Sequence, residues 1–150
     1  MGYFDWKDEY SIGIAGIDAQ HRKIVELIED LFESIRDARE EYVIGDILAD
    51  LATYAKDHFA LEEKVLERFG NAAGAEHERQ HEEFIAKVRE LREGDRVCLQ
   101  GIPIQTLDVL KEWFKNHEMY VDAKYARSFA ERGLVPVVEE FIRAECGAGS

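Results

Sequence analysis

The chain has 150 residues and very little to interrupt it: two prolines, Pro103 and Pro136, and two cysteines, Cys98 and Cys146. So few fixed breaks leave room for long helices. The cysteines lie far apart and outside any Cys-x-x-Cys pair, which excludes a disulfide framework and a thiolate zinc site, so both are expected as free thiols. Basic residues are scarce as well, with 19 Lys and Arg against 32 Asp and Glu and a formal net charge of −13. That deficit argues against nucleic acid as a partner, since phosphates need a basic face, and against an anionic membrane surface. No apolar run approaches the roughly 18–20 residues of a spanning helix. The segment MGYFDWKDEY lacks the basic and apolar regions of a secretory leader, and Trp6 breaks the myristoylation pattern that Gly2 opens. A cytoplasmic protein is the expectation. With 46% hydrophobic residues, the chain is too apolar to remain disordered.

β-Branched alternation is almost absent, and apolar residues recur at intervals of three and four, the period of amphipathic helices. The first such stretch, 18–38, aligns His21, Ile24, Val25, Ile28, Leu31, Phe32 and Ile35, with Asp18 as the expected N-cap. The second, 44–69, aligns Leu48, Leu51, Ala55, His58, Leu61, Glu62, Val65 and Leu66, and Gly70 stops it before a loop over 70–74. The third, 75–93, turns His77, His81, Phe84, Ile85, Val88 and Leu91 inward and stops at Gly94. A fourth begins at Pro103, a residue favoured in the first helical turn, and runs to Arg132 before Gly133. Its inward residues are Leu107, Leu110, Trp113, Phe114, His117 and Val121. A short amphipathic piece over 135–145 carries Val137, Val138, Phe141 and Ile142. The sequence therefore predicts an all-α fold, an antiparallel four-helix bundle over 1–133. An aromatic N-terminal arm (Tyr3, Phe4, Trp6) packs along it, and a C-terminal helical extension, 134–150, packs on the same domain.

All five histidines fall on these apolar stripes: His21, His58, His77 with His81, and His117, at least one per helix. Two carboxylates join them. Glu62 follows His58 by four residues and shares its face, while Asp122 follows His117 by five, about 140° round an α-helical wheel, so that the two flank one interior point. A single histidine on a stripe is ordinarily a core residue bonded to a carbonyl. Five imidazoles and two carboxylates buried together would leave many polar groups unsatisfied, at about 1–3 kcal/mol each. A metal centre removes that cost, because neutral imidazole and ionised carboxylate are metal ligands. Seven ligands exceed one tetrahedral zinc; they suit two first-row ions bridged by Glu62 and Asp122, and the nitrogen-rich set is what iron takes.

The order His21 … His58-Phe59-x-x-Glu62-Glu63 … His77-x-x-x-His81 … His117-x-x-x-x-Asp122 resembles the hemerythrins, the bacterial ones in particular. The resemblance spans about residues 4–127 and includes Asp18-x-Gln20-His21 and Trp113-x-x-x-His117. It implies an up-down-up-down bundle holding two iron ions with an oxo or hydroxo bridge. His77, His81 and His117 would hold one iron. His21 and His58 would hold the other, which keeps a position open for O₂, and Glu62 and Asp122 would bridge the pair. The apolar residues Ile24, Val25, Leu61, Trp113 and Phe114 would wall the O₂ pocket and keep water out.

Glu118 departs from the resemblance, since many bacterial members carry an apolar residue directly after the fourth-helix histidine. On an α-helical wheel it falls between His117 and Asp122. There it would be an extra iron ligand or gate, a hydrogen-bond partner or proton donor beside the ligands, or an acid directed to solvent. The expected function is reversible O₂ binding for storage, delivery or sensing, with a redox partner protein. The alternative is a di-iron enzyme acting on O₂, peroxide or nitric oxide, with Glu118 as a catalytic candidate.

Overall fold

The computed structural model describes residues 2–70, 74–93 and 99–148; Cys98, Gly94 and the 71–73 part of the expected loop lie outside them. Among the described residues there is no strand, and the helices are α1 (Ala15–Arg36), α2 (Glu41–Phe69), α3 (Gly74–Glu93), α4 (Ile104–Asn116), α5 (Ala123–Glu131) and α6 (Val135–Ala148). α4 and α5 are joined without a break by one widened, π-helical turn, His117–Asp122, and together form the fourth rod of the bundle. Each rod packs against its chain neighbours, and α4 closes the ring against α1, the arrangement of an up-down-up-down bundle. None of the described helices is long and apolar enough to cross a membrane.

The periodicity explains the packing. On α1, Ile17, His21, Ile24, Val25, Ile28, Leu31 and Ile35 are buried, a single stripe at helical spacing. Gly70 ends α2 in the left-handed conformation (φ 74°), donating its N–H to the Leu66 carbonyl, as a C-terminal glycine does. Two buried apolar clusters result. One joins Ile24 to Ile35 of α1, Ile44 to Phe59 of α2, Phe84 to Leu91 of α3 and Leu107 to Phe114 of α4. The other joins Ile14 and Ile17, Leu61 to Leu66, Tyr125 to Phe129, and Val138 and Ile142 of α6. The histidines fall where the two meet: His21 between Ile17 and Ile24, His58 beside Phe59 and Leu61, and His117 between Phe114 and Tyr125.

Three local expectations are corrected. Asp18 is not an N-cap: α1 starts three residues earlier, at Ala15, and the Asp18 carboxylate accepts the Ser11 hydroxyl (2.5 Å) and the Ile12 N–H (2.9 Å). It braces the turn through Gly13 (φ 84°) instead. The α1 N-terminus is capped from across the molecule, where Glu139 of α6 accepts the Ala15 N–H at 2.7 Å, a favourable place for a carboxylate at the positive end of a helix. Pro103 stands just outside α4, as its N-cap, rather than in its first turn. Finally, Val121, expected inward, is only half-buried where the π turn interrupts the regular helix. Within α6, Val138 and Ile142 are buried while Val137 is 47% exposed. A Cβ on Gly16 of α1 would lie 2.6 Å from the Ile142 side chain, so glycine is what lets the two helices approach.

The N-terminal arm lies along α1 and α4. Glu29 accepts the Tyr3 and Phe4 N–H groups at 3.2 and 2.7 Å, and Lys111 donates to the Tyr3 carbonyl at 2.6 Å. Tyr3 also hydrogen-bonds Asp108. Phe4 is thereby held in the core, edge-on to Phe114.

Candidate metal centre

His21, His58, Glu62, His77, His81, His117 and Asp122 come together in one layer between the two apolar clusters, and none is more than 3% exposed. Four helical rods supply them. Both α2 residues share a face because they are four apart, and so do both α3 residues. The His117–Asp122 pair works differently from the wheel expectation: in the π turn, residues five apart stack, and His117 Nε2 lies 2.9 Å from Asp122 Oδ1. The two groups stand together rather than 140° apart.

Glu62 divides its oxygens between two sets of imidazoles. Its Oε1 lies 3.0 Å from His81 Nε2, 3.5 Å from His117 Nε2 and 4.0 Å from His77 Nε2. Its Oε2 lies 3.3 Å from His58 Nε2 and 3.7 Å from His21 Nε2. Asp122 is divided the same way, with Oδ1 toward His77 (3.2 Å) and His117, and Oδ2 toward His21 (3.0 Å). Two ligand groups follow, Glu62–His77–His81–His117 and His21–His58–Glu62–Asp122, each with its ligand atoms within 4.8 Å of one another.

The layer is charged and buried. Burial works against the Glu62 carboxylate, yet His117, His21, His58 and His81 hold it well below the usual range. Burial and Glu62 oppose the Asp122 charge too, and His117 and His21 outweigh them. Burial opposes protonation of His117, but Asp122 and Glu62 raise its pKa to about 10. His21 is raised well above its ordinary value: Asp122, Glu118 and Glu62 together overcome its burial. His58 goes the other way, with burial winning. Several inward atoms, among them His21 Nε2, His58 Nε2 and Asp122 Oδ2, lack an aligned hydrogen-bond partner. Imidazole nitrogens and carboxylate oxygens in this number fit a pair of cations, whose binding would displace protons from the layer.

The outward nitrogens are held in turn. Gln20 Oε1 lies 2.6 Å from His58 Nδ1, and Gln80 Oε1 lies 3.2 Å from His117 Nδ1. Tyr125 donates its hydroxyl to Glu62 Oε2 at 3.1 Å, and burial followed by the charges of Glu62 and Asp122 raises the phenol pKa well above 10. Glu118 is fully buried, so the solvent-directed possibility is overturned; its Oε1 lies 3.2 Å from His21 Nδ1, on the side of the ring away from Glu62 and Asp122.

Among the residues expected to wall an O₂ pocket, Phe114 packs edge-on against His21 with ring centres 5.5 Å apart. Ile24, Val25 and Leu61 are buried next to the layer in sequence. Trp113 lies elsewhere, stacked on His117 at 4.8 Å, and so flanks the three-histidine group. Sequence reasoning missed four contacts. Phe59 stacks flat on His81 at 3.9 Å, and its place next to His58 is the signal that points to it. Gln20 and Gln80 each precede a histidine by one residue but serve a histidine on another helix, and Tyr125 sits on the face Asp122 shares only after the π turn.

Residues 12–127 match the model of the hemerythrin HHE cation-binding domain. The chain is 32% identical over 126 residues to a bacteriohemerythrin of Stenotrophomonas maltophilia, covering 84% of this chain and 81% of that protein. It is 35% identical over 128 residues to the bacteriohemerythrin of Clostridium acetobutylicum, covering 81% and 98%. A myohemerythrin of Riftia pachyptila is 29% identical over 122 residues, covering 80% and 88%. A solved structure, described as that of a leucine-to-phenylalanine mutant, shares the fold with a TM-score of 0.74 at 23% identity, covering 85% of this chain and 97% of that one. The buried layer of five histidines and two carboxylates lies wholly within the matched segment, and the chain belongs to the hemerythrin family of cation-binding domains.

Proposed function

We propose that this protein binds O₂ reversibly at a pair of iron ions held in the buried layer. His77, His81 and His117 would hold one ion, His21 and His58 the other, and Glu62 and Asp122 would bridge them. The observation that carries this reading is the division of both carboxylates: each turns one oxygen to each set of imidazoles. The unequal count of three imidazoles against two leaves the His21–His58 ion the less crowded one. When bound, two ferrous ions supply the electrons with which O₂ is held. The chain's own residues supply the rest. Gln20 and Gln80 orient His58 and His117, and Tyr125 holds Glu62. Phe114, Ile24 and Val25 keep water from the His21 side, which slows loss of electrons to solvent-assisted oxidation. A protein with this chemistry also needs a redox partner that returns electrons to an oxidised centre.

The enzymatic alternative needs a proton-delivering or ligating group at the open position. Glu118, the candidate for it, stands behind His21, and this geometry supports binding over turnover. The test is direct. Purified protein should hold about two irons per chain, and the reduced protein should develop a visible charge-transfer band in air that disappears under vacuum. Irreversible bleaching with peroxide consumption would favour the enzyme, and one zinc per chain would remove the di-iron reading.

A further inference from the structure

Glu118 is the most conspicuous carboxylate in the molecule that the bridging role does not use. It is 0% exposed, and neither of its oxygens has an aligned hydrogen-bond partner. Among the described residues, no lysine or arginine pairs with it; the group in reach is His21, whose Nδ1 is 3.2 Å from Oε1 and likewise lacks an aligned partner. A buried carboxylate without compensation is costly, so its retention calls for a group that uses it. The outward nitrogens of His58 and His117 face neutral amides, Gln20 and Gln80. His81 Nδ1 has the partly exposed Glu63 carboxylate at 3.9 Å, while His21 is backed at 3.2 Å by a fully buried acid.

Resting on the metal reading above, we propose that Glu118 is a positioning residue that takes the Nδ1–H of His21 once Nε2 binds a cation, fixing the ring and making His21 a stronger donor than the amide-backed His58 and His117. A cation on Nε2 makes the opposite N–H a better donor, which draws the 3.2 Å contact into line. A carboxylate acceptor also pushes more electron density into the ring than an amide does, and outer partners of this kind set ligand orientation and basicity. The consequence is an electronic asymmetry: the two-histidine ion has fewer imidazoles, but one of them is strengthened. That favours the higher oxidation state at this ion.

Cobalt(II) added to chelator-stripped protein tests the role without O₂ chemistry. Glu118→Leu should weaken one of the two cobalt sites by about 10–100-fold and leave the other unchanged, with Glu118→Gln in between. In wild type loaded with zinc, the His21 Nδ1–H should give a far-downfield nitrogen-coupled proton resonance that Glu118→Leu abolishes. The reduction potential of the iron-loaded protein should rise in the order wild type, Gln, Leu. Equal cobalt binding by wild type and both variants, with the resonance retained, overturns the positioning role. So does equal weakening of both sites alongside a lowered melting temperature, which marks mere packing. Loss of one oxygen neighbour from the cobalt X-ray absorption spectrum in Glu118→Gln would make Glu118 a ligand and also overturn it. Wild type that binds no pair of cobalt ions overturns the metal reading itself.

Discussion

The two halves of the buried layer are built on different terms. The His77–His81–His117 half is walled by flat aromatic faces: Phe59 lies parallel to His81 (5° between planes) and Trp113 nearly parallel to His117 (11°). The His21–His58 half has ring edges against it, with Phe114 and His58 both steeply inclined to His21. Its outer acid, Glu118, is fully buried and 3.2 Å from His21, whereas the acid nearest the other half, Glu63, is partly exposed and 3.9 Å from His81. One half is a crowded, stacked socket and the other is thinner on ligands and backed closely by a buried acid. A bimetallic site needs no such difference to hold metal. It needs one if a small molecule is to bind at one ion rather than at both.

The largest expected effect erases the comparison. Glu62→Ala removes the carboxylate both halves share, and iron content should fall from about two ions per chain to near zero, measured by elemental analysis. Replacing one half's ligand should instead expose it: His58→Ala is expected to leave about one ion, and the reversible band in air should vanish with it. Retention of two ions would mean the halves are not separable.

Packing comes next. Phe59→Ala strips the stacked face from His81 and opens the core, which should cost about 3–5 kcal/mol in denaturant unfolding. Gly16→Ala pushes a Cβ into Ile142 at 2.6 Å, and overpacking of this kind costs about 1–3 kcal/mol. Since Gln20, one turn along α1, also reaches α6 through its contact with Cys146 (3.8 Å), loosening α6 should release metal from the two-histidine half before the other.

The smallest effect is a pair of opposite pH slopes in chelator-stripped protein. The pKa of His117 is raised from 6.5 to about 10, so its stabilisation is complete below 6.5 and is lost as pH climbs through 10. His58 is lowered, so the unfolded chain takes its proton more readily and stability falls as pH drops through 6.5. His117→Ala should therefore flatten the alkaline limb of a stability–pH curve and His58→Ala the acid limb.

Much of this is legible in residue spacing. Helical stripes at three and four place the core of every rod, and the histidines announce the layer because each occupies a stripe position where leucine would serve packing better. What spacing hides is anything set by a partner element. The Ser11–Ile12 turn claims Asp18, and Glu139 then caps α1 from more than a hundred residues away. The outer partners of the imidazoles come from neighbouring helices, so their register is a property of the assembled bundle. A regular wheel also cannot foresee its own interruption, which is why it sets His117 and Asp122 on two sides of a point with Glu118 between them.

That interruption divides the fourth rod into two reading frames. Residues up to His117 follow one angular count and residues from Asp122 onward another, with the offset absorbed inside a single turn. Tyr125 and Phe129 meet the core only in the second frame. Deleting one residue between 118 and 121 would restore a regular helix in which the two ligands, then four apart, still share a face and the Tyr125–Phe129 face keeps its phase, whereas one further inserted residue would rotate that face by about 100°. The fourth rod thus tolerates substitution at Tyr120, which is 65% exposed, and carries beside it one residue more than an α-helix needs, but has no room for a second.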